Sequence, residues 1–316
     1  MAFPASLQTE WRANLDALPN TPDNIPAFFF GHGSPMLSFP KSDSLDDWRG
    51  GIMGWTGPES PLATFLKDFG PALLKKYQPK GIVVFSAHWE TRTERVVTDY
   101  GDENPLLMDY FGFDPEMYEL KFMSKGDSKL SKHVVDLYKQ AGQKARTTSK
   151  IEKRGRDGRG FLGPGFDHGV FIPFRIMFGE EFTEIPIVQV SIDSSLSPEK
   201  NWALGQAVAK LREEGILVLS GGLVYHNLRD FSGFAPHLAN PAAKAFDKAV
   251  LASVAVSDAV ERKKAMVDLT KHPGFRASHP REEHFIPIYV AAGAGEGGEV
   301  RVMSDMYGCE TIAFGI

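Results

Sequence analysis

Short, continuous apolar runs alternate with segments of helical periodicity along most of the chain. The stretches AFFFG, GIVVFSA, ERVVT, IPIVQV and ILVLSGG each contain such a run, and their length is typical of buried β-strands. One intervening segment begins with Ser197 and Pro198, a favoured helix start, and carries Leu204, Val208 and Leu211 on one face. The alternation predicts an α/β fold with a central mixed, largely parallel sheet flanked by helices.

Other segments with helical spacing extend this pattern. Helices are predicted at residues 60–70, 127–142, 240–256 and 284–295. We expect Pro71 to end or redirect the first of them, because proline cannot donate the backbone hydrogen bond that a helix interior needs. Residues 1–25 are polar with scattered prolines and are predicted to be an N-terminal surface segment. No repeat or linker divides the remainder, so residues 26–316 are predicted to form one domain.

Composition and charge narrow the classes of function. The 316 residues carry a formal net charge of −5, and the sequence has no basic block of the kind that binds nucleic acid. The single cysteine, Cys309, rules out an intrachain disulfide and a thiolate zinc cage. The sequence shows neither a secretory h-region nor an apolar run of about 18 residues. These features predict a cytoplasmic protein that binds neither membranes nor nucleic acid, and they leave open whether it forms a homo-oligomer.

Five histidines fall at the ends of predicted elements, namely His32, His88, His168, His226 and His284. A lone histidine in such a place is usually structural, but ligands of open α/β sheets bind beyond the carboxyl ends of strands, and imidazole is the commonest metal ligand. The five together therefore predict a metal site at the strand carboxyl ends, suited to zinc, copper, iron or nickel. Asp167 is predicted to cap the helix after it. The other histidines are predicted to be surface or loop residues: His133, His237, His272 and His279.

Six short motifs occur in a characteristic order from about Pro26 to the C-terminus. They are GHGSP, SAHWE, FDHGVFIPF, VQVSID, HNLRD and EEHFIPIYVAAG. In this order they resemble the class III extradiol ring-cleaving dioxygenases of the 4,5-DOPA dioxygenase type. The resemblance implies an α/β catalytic domain over residues 26–316 and a non-haem metal. It also implies that both atoms of O2 are inserted into a catechol-type ring beside its vicinal hydroxyls, a reaction of aromatic catabolism.

The resemblance also implies roles for the five histidines. Matched by motif, His32, His88 and His284 look like metal ligands. His226 is similar to a family histidine that is either a ligand or an acid–base residue, and His168 looks like the histidine that handles protons on the substrate side. The implied metal is Fe(II) for activity, with Zn(II) as an alternative bound metal. The implied partners are a small-molecule catechol and O2.

Two departures keep other functions open. Many non-haem Fe(II) oxygenases use two histidines and one carboxylate, whereas the third position here is His284, and an all-histidine site suits zinc equally well. A zinc hydrolase with Glu282 or Glu283 as general base is therefore one alternative, and a non-catalytic metal-binding relative is another. The basic stretch at residues 146–165 either attracts an anionic substrate or is a solvated loop; its candidate cations are Arg154, Arg156 and Arg159.

The sequence leaves two interpretations for the role of each of several other polar and aromatic residues near the motifs. We expect Ser34 to cap the turn that follows it, although a place near the metal is the alternative. Trp89 is either a wall for an aromatic substrate or a core residue. Asn227 and Arg229 are candidates to orient His226 or a substrate carboxylate. Asp193 is a candidate partner for a ligand imidazole or a helix cap.

Overall fold

The computed structural model describes residues 5–40, 52–154 and 163–316. Ten strands lie in these ranges: β1 Ala27–Gly31, β2 Gly81–Thr91, β3 Arg95–Thr98, β4 Met123–Ser124, β5 Ala145–Thr148, β6 Glu181–Phe182, β7 Ile187–Asp193, β8 Ile216–Gly222, β9 Val300–Ser304 and β10 Thr311–Phe314. Eight of them form one sheet in the order β5-β3-β7-β2-β8-β1-β10-β9, and β4 pairs with β6. Strands β7, β2, β8 and β1 pair in parallel, whereas β10 and β9 are antiparallel. The predicted mixed, largely parallel sheet is confirmed.

Helices cover both faces of this sheet. In the described ranges they are α1 Ala5–Asp16, α2 Met53–Thr56, α3 Pro61–Tyr77, α4 Ser128–Gln140, α5 His168–Phe178, α6 Pro198–Val208, α7 Pro241–Val254, α8 Ala259–Asp268, α9 Phe275–Ser278 and α10 Pro287–Ala294. Alternate residues of β2 face opposite sides: Val83 packs in a core with α4, α6, α7 and α10, and Ile82 packs in a second core with α1, α3 and α5. None of the helices in the described ranges combines the length and the apolar character that a membrane span needs.

Of the two outcomes expected for Pro71, that it ends or redirects helix α3, the first is wrong. The helix continues to Tyr77 with Pro71 inside it. Its second half buries Leu73 and Tyr77 completely or nearly so, and this apolar burial offsets the one hydrogen bond that the proline removes. Tertiary packing therefore outweighs the local signal.

The N-terminal segment contributes a helix of its own. Helix α1 buries Trp11 and Leu15 in the core that it shares with α3. The indole Nε1 of Trp11 donates to Asp68 of α3 at 2.9 Å, and Arg12 donates to the same carboxylate at 2.9 Å. The division of the chain at residue 25 stays a prediction.

Candidate metal centre

The described polypeptide brings the five predicted histidines together at the carboxyl ends of the parallel strands. His32 directly follows β1, and its backbone N–H donates to the last carbonyl of β8, that of Gly222, at 3.1 Å. His88 lies near the end of β2, where the pairing of β2 with β7 shifts register between Phe85 and Glu90. Such irregularities re-aim side chains.

The other three histidines come from segments beyond the strands. His168 is the first residue of α5. His226 lies in the loop after β8, where its backbone N–H donates to Ser278 at 2.9 Å. His284 lies before α10, and its carbonyl accepts from Leu223 at 2.8 Å. Chain segments distant in sequence thus meet at one edge of the sheet.

Three of these imidazoles form a compact donor group. His32, His88 and His284 each offer one ring nitrogen, the three nitrogens lie within 4.8 Å of one another, and all three residues are buried. The Nε2 atoms of His88 and His284 are 3.0 Å apart. A buried all-imidazole set of this kind is suited to zinc, iron, copper or nickel.

The hydrogen bonds on the far side of two rings support a metal at this place. Nδ1 of His88 lies 3.0 Å from Oδ2 of Asp109, and Nδ1 of His284 lies 3.0 Å from Oε1 of Glu283. A carboxylate only accepts hydrogen bonds, so each Nδ1 carries the proton and each Nε2 presents a lone pair. Two lone pairs facing one another at 3.0 Å repel, and a cation between the rings removes that repulsion. The donor set therefore fits a metal ion.

His226 is stacked on His284 and does not belong to the compact group of three. The two ring centroids are 3.4 Å apart with an interplanar angle of 14°. His226 instead groups with Glu283 and His284, and its Nδ1 lies 3.9 Å from Oε1 of Glu283. Burial, followed by the neighbouring His284, lowers the pKa of His226 well below its usual value.

Asp109 is a central residue that our reading of the sequence missed. Its buried carboxylate accepts from Nδ1 of His88 through Oδ2 and from Nδ1 of His168 through Oδ1, the latter at 2.8 Å. Burial alone would raise the pKa of Asp109, but His168 and His88 outweigh it and hold the pKa well below the usual range. The sequence signal that could have found it is an isolated acidic residue in the apolar stretch LLMDYFGF.

Asp167 occupies the N-cap position of α5, but its side chain does not cap the helix as predicted. The carboxylate is buried and accepts instead from Ser86 Oγ at 2.6 Å, Arg154 Nη2 at 2.8 Å and Gln189 Nε2 at 2.6 Å. The buried guanidinium of Arg154 offers this carboxylate a full opposite charge as well as a hydrogen bond. The result is a buried polar network directly behind His168.

The aromatic and basic candidate residues that the structure describes near the site are buried and have structural roles. Trp89 is fully buried, so it is a core residue, and its Nε1 donates to the carbonyl of Arg154 at 3.0 Å. The guanidinium of Arg154 lies over the Trp89 ring at 4.6 Å and is buried, so Arg154 is not a solvent-facing cation. Arg156 and Arg159 lie outside the described residues.

The remaining predicted support residues brace loops. Ser34 caps the 3₁₀ turn that follows it by accepting from Met36 N at 3.3 Å, which confirms the expectation. Asp193 bonds to Arg95 and Ser195, and Ser197 caps α6 instead. The described contacts of Asp193 include no imidazole.

Asn227 holds its own loop. Its Nδ2 donates to Ala277 at 2.9 Å, and its Oδ1 accepts from the backbone of Arg229 at 3.0 Å. His279, which was predicted to be a surface or loop residue, is fully buried, and its Nε2 lies 2.7 Å from the carbonyl of Val224. The surface reading of His279 is wrong because its ring packs among aromatic side chains of α7 and α9.

The two glutamates before His284 differ in place. Glu282 forms an ion pair with Arg276, away from the rings. Glu283 contacts His284 and also lies 3.4 Å from Arg281. Arg281 in turn holds Glu90 of β2 in a two-pronged ion pair at 2.6 and 2.7 Å. Strand β2, which carries His88, is thereby tied to the loop that carries His284.

Comparisons with known proteins agree with this architecture. Residues 26–314 match the family described as the catalytic LigB subunit of aromatic ring-opening dioxygenase. The chain is 38% identical to a 4,5-DOPA dioxygenase extradiol-like protein of Schizosaccharomyces pombe over 97% of each chain. It is 31% identical to the 4,5-DOPA dioxygenase extradiol of Beta vulgaris, over 93% of this chain and 96% of that one.

A bacterial relative and a solved structure extend the likeness. The 4,5-DOPA dioxygenase extradiol of Escherichia coli is 30% identical over 87% of each chain. The crystal structure of an uncharacterized protein from Escherichia coli K12 superposes with a TM-score of 0.62 at 25% identity, covering 92% of this chain and 100% of that one.

Proposed function

The chain belongs to the family of the catalytic LigB subunit of aromatic ring-opening dioxygenases, and from that premise we propose that it is a metal-dependent extradiol dioxygenase. In this proposal it opens a catechol-type ring by inserting both atoms of O2 next to the vicinal hydroxyls. The observation that carries the proposal is the buried group of three imidazoles at the strand carboxyl ends of a chain in a metal-dependent family.

The proposal gives His32, His88 and His284 the role of metal ligands, with Fe(II) as the working metal and Zn(II) as an alternative bound ion. A metal held by these three imidazoles would supply Lewis acidity toward the two catechol oxygens and, as Fe(II), electrons for O2. The three imidazoles leave coordination positions for substrate, and their net charge is zero, so a catecholate is not repelled by the ligands.

Proton transfer is assigned to the two other histidines. His168 is oriented by Asp109, so its Nε2 is the nitrogen that can take or give a proton. His226 lies against His284 on the other side and serves either as an acid–base residue or as a further ligand. The substrate class is a substituted catechol; since three relatives carry DOPA in their names, DOPA belongs in the first panel of compounds.

The test combines metal content with oxygen uptake. The protein is loaded with Fe(II) without oxygen, mixed with substituted catechols and then exposed to O2, and ring opening is followed as a coloured product and as oxygen consumption. His88→Ala should lose both bound metal and activity, whereas His133→Ala, an identical change at a histidine far from the site and paired with Glu214, should keep both. Retention of stoichiometric metal in His88→Ala would contradict the ligand assignment.

A zinc hydrolase is the second candidate, because an all-imidazole set suits zinc as well as iron. In that case Glu283, whose Oε1 lies 3.0 Å from Nδ1 of His284, would be the candidate general base. Hydrolytic activity that depends on zinc, without oxygen uptake from any catechol after iron loading, would favour the hydrolase over the dioxygenase.

A further inference from the structure

Asp109 contacts His88 and His168, two histidines that have different roles in the proposed function. Its position is set by a short parallel bridge between Leu106 and Phe166, in which Phe166 N donates to Pro105 O and Leu107 N donates to Phe166 O, each at 2.8 Å. This bridge places Asp109 opposite the first residue of α5. The carboxylate is fully buried, so solvent does not compete for its oxygens.

Three donors converge on this carboxylate. Oδ2 faces Nδ1 of His88 at 3.0 Å, and Oδ1 faces both Nδ1 and the backbone N of His168, each at 2.8 Å. An ionised carboxylate has no proton to donate, so both imidazoles carry theirs on Nδ1. Each of the two Nε2 atoms then presents a lone pair. The rings meet edge to face with their centroids 4.0 Å apart.

We propose that Asp109 is a positioning residue that fixes the Nδ1–H tautomer of both His88 and His168, so that one side chain prepares a metal ligand and a proton-transfer group together. This inference rests on the proposed function for the two roles, but the tautomers themselves follow from the geometry of the carboxylate. A ligand imidazole held by a carboxylate on its far nitrogen is oriented and made more basic.

The arrangement predicts an asymmetric response to Asp109→Asn. An amide keeps one accepting oxygen and turns the other into an NH2 donor. The backbone N–H of His168 and its Nδ1–H both need an acceptor at the Oδ1 position. The amide oxygen should therefore take that position, and the NH2 group should face His88. His88 must then present a lone pair at Nδ1 and carry its proton on Nε2, the nitrogen that faces His284.

Two measurements test the inference without any assay of ring cleavage. Zinc affinity is measured by competition with a chromophoric chelator, and imidazole tautomers are read from nitrogen-15 NMR of histidine-labelled, zinc-loaded protein. Asp109→Asn should bind zinc about 10- to 100-fold more weakly, with His168 still in its Nδ1–H form. The control is Asp167→Asn, which changes an equally buried carboxylate whose described contacts include no imidazole. It should leave both tautomers as in the wild type and reduce zinc affinity less.

The outcomes of these measurements distinguish a specific role of Asp109 from a general effect of removing a buried charge. Wild-type affinity in Asp109→Asn, or equal losses in the two variants, overturns the proposal, because the effect would then be absent or common to any buried charge. If Asp109→Asn fails to fold by circular dichroism, the wild-type spectrum decides: His168 with its proton on Nε2 refutes the inference, and Nδ1–H on both rings supports it. Failure of every catechol to consume oxygen would overturn the dioxygenase proposal and leave these readouts unaffected.

Discussion

Acid should destabilise this protein partly through His279, a buried histidine outside the group of five. The ring is fully buried, stacks on Phe275 with centroids 5.2 Å apart, and donates through Nε2 to the carbonyl of Val224 at 2.7 Å. Burial lowers the pKa of His279 from 6.5 to about 4, against the opposing effect of the Val224 carbonyl. The native fold therefore holds this imidazole neutral.

The sign and size of the effect follow from linkage. The unfolded chain takes up a proton near pH 6.5, whereas the folded chain resists it until about pH 4, so the free energy of unfolding is highest above pH 6.5 and falls as the pH drops through this window. At pH 5 the loss from His279 is about 2 kcal/mol, and below pH 4 it approaches a limit of about 3.4 kcal/mol.

The assay compares wild type with His279→Gln in urea unfolding from pH 8 to pH 5, with a chelator present so that metal release does not contribute. The Gln amide can donate to Val224 in place of Nε2 but cannot be protonated. At pH 8 the variant should be less stable by about 1–3 kcal/mol, because it fills the aromatic pocket less well. That difference should shrink by about 2 kcal/mol on going to pH 5. A difference that stays constant with pH would refute the reasoning.

Three further changes probe the interior. Burial, reinforced by Asp247, raises the pKa of Glu310 well above its usual value. The free energy of unfolding should therefore fall as the pH rises above about 4.5, by up to about 1.4 kcal/mol per pH unit. Glu310→Gln should flatten that slope in urea unfolding. Gly205→Ala would place a Cβ 2.0 Å from the carbonyl of Val290, so α6 and α10 must separate, at a loss of about 1–3 kcal/mol in thermal unfolding. Arg154→Met leaves a buried carboxylate uncompensated and should cost about 3–5 kcal/mol in urea unfolding, with a stable variant as the contrary result.

The sheet and the gathering of histidines could be predicted because both depend on local patterns. A buried parallel strand is a continuous apolar run, and the first polar residue after it stands at the carboxyl edge of the sheet. His32 satisfies this rule directly, and His226 follows β8 by a few residues. His88 departs slightly, because β2 continues past it to Thr91. The rule needs no knowledge of strand order, since all parallel strands end at the same edge.

The expectations that failed depended on contacts between distant segments. Pro71 remains inside α3 because the later turns bury apolar side chains against the sheet. Asp167 has the sequence position of a helix cap, yet its carboxylate is taken by Arg154 and by Gln189 of β7. Arg154 lies in a stretch whose composition is typical of a solvated loop, but its guanidinium is buried against Trp89. In each case the local preference contributes less free energy than the burial that competes with it.

The same reasoning explains why the histidines could be found from the sequence and Asp109 could not. A histidine at a strand end is placed by its own strand, whereas a carboxylate that contacts it is placed by whatever segment packs behind it. Asp109 reaches His88 across 21 residues and His168 across 59, and the bridge between Leu106 and Phe166 that aligns it has no periodicity of its own. The sequence does contain one indication: burying an acidic side chain among apolar residues costs free energy unless that side chain is paired. Asp109 stands in such a stretch, LLMDYFGF, but only the packing of that stretch against α5 shows which histidines it pairs with.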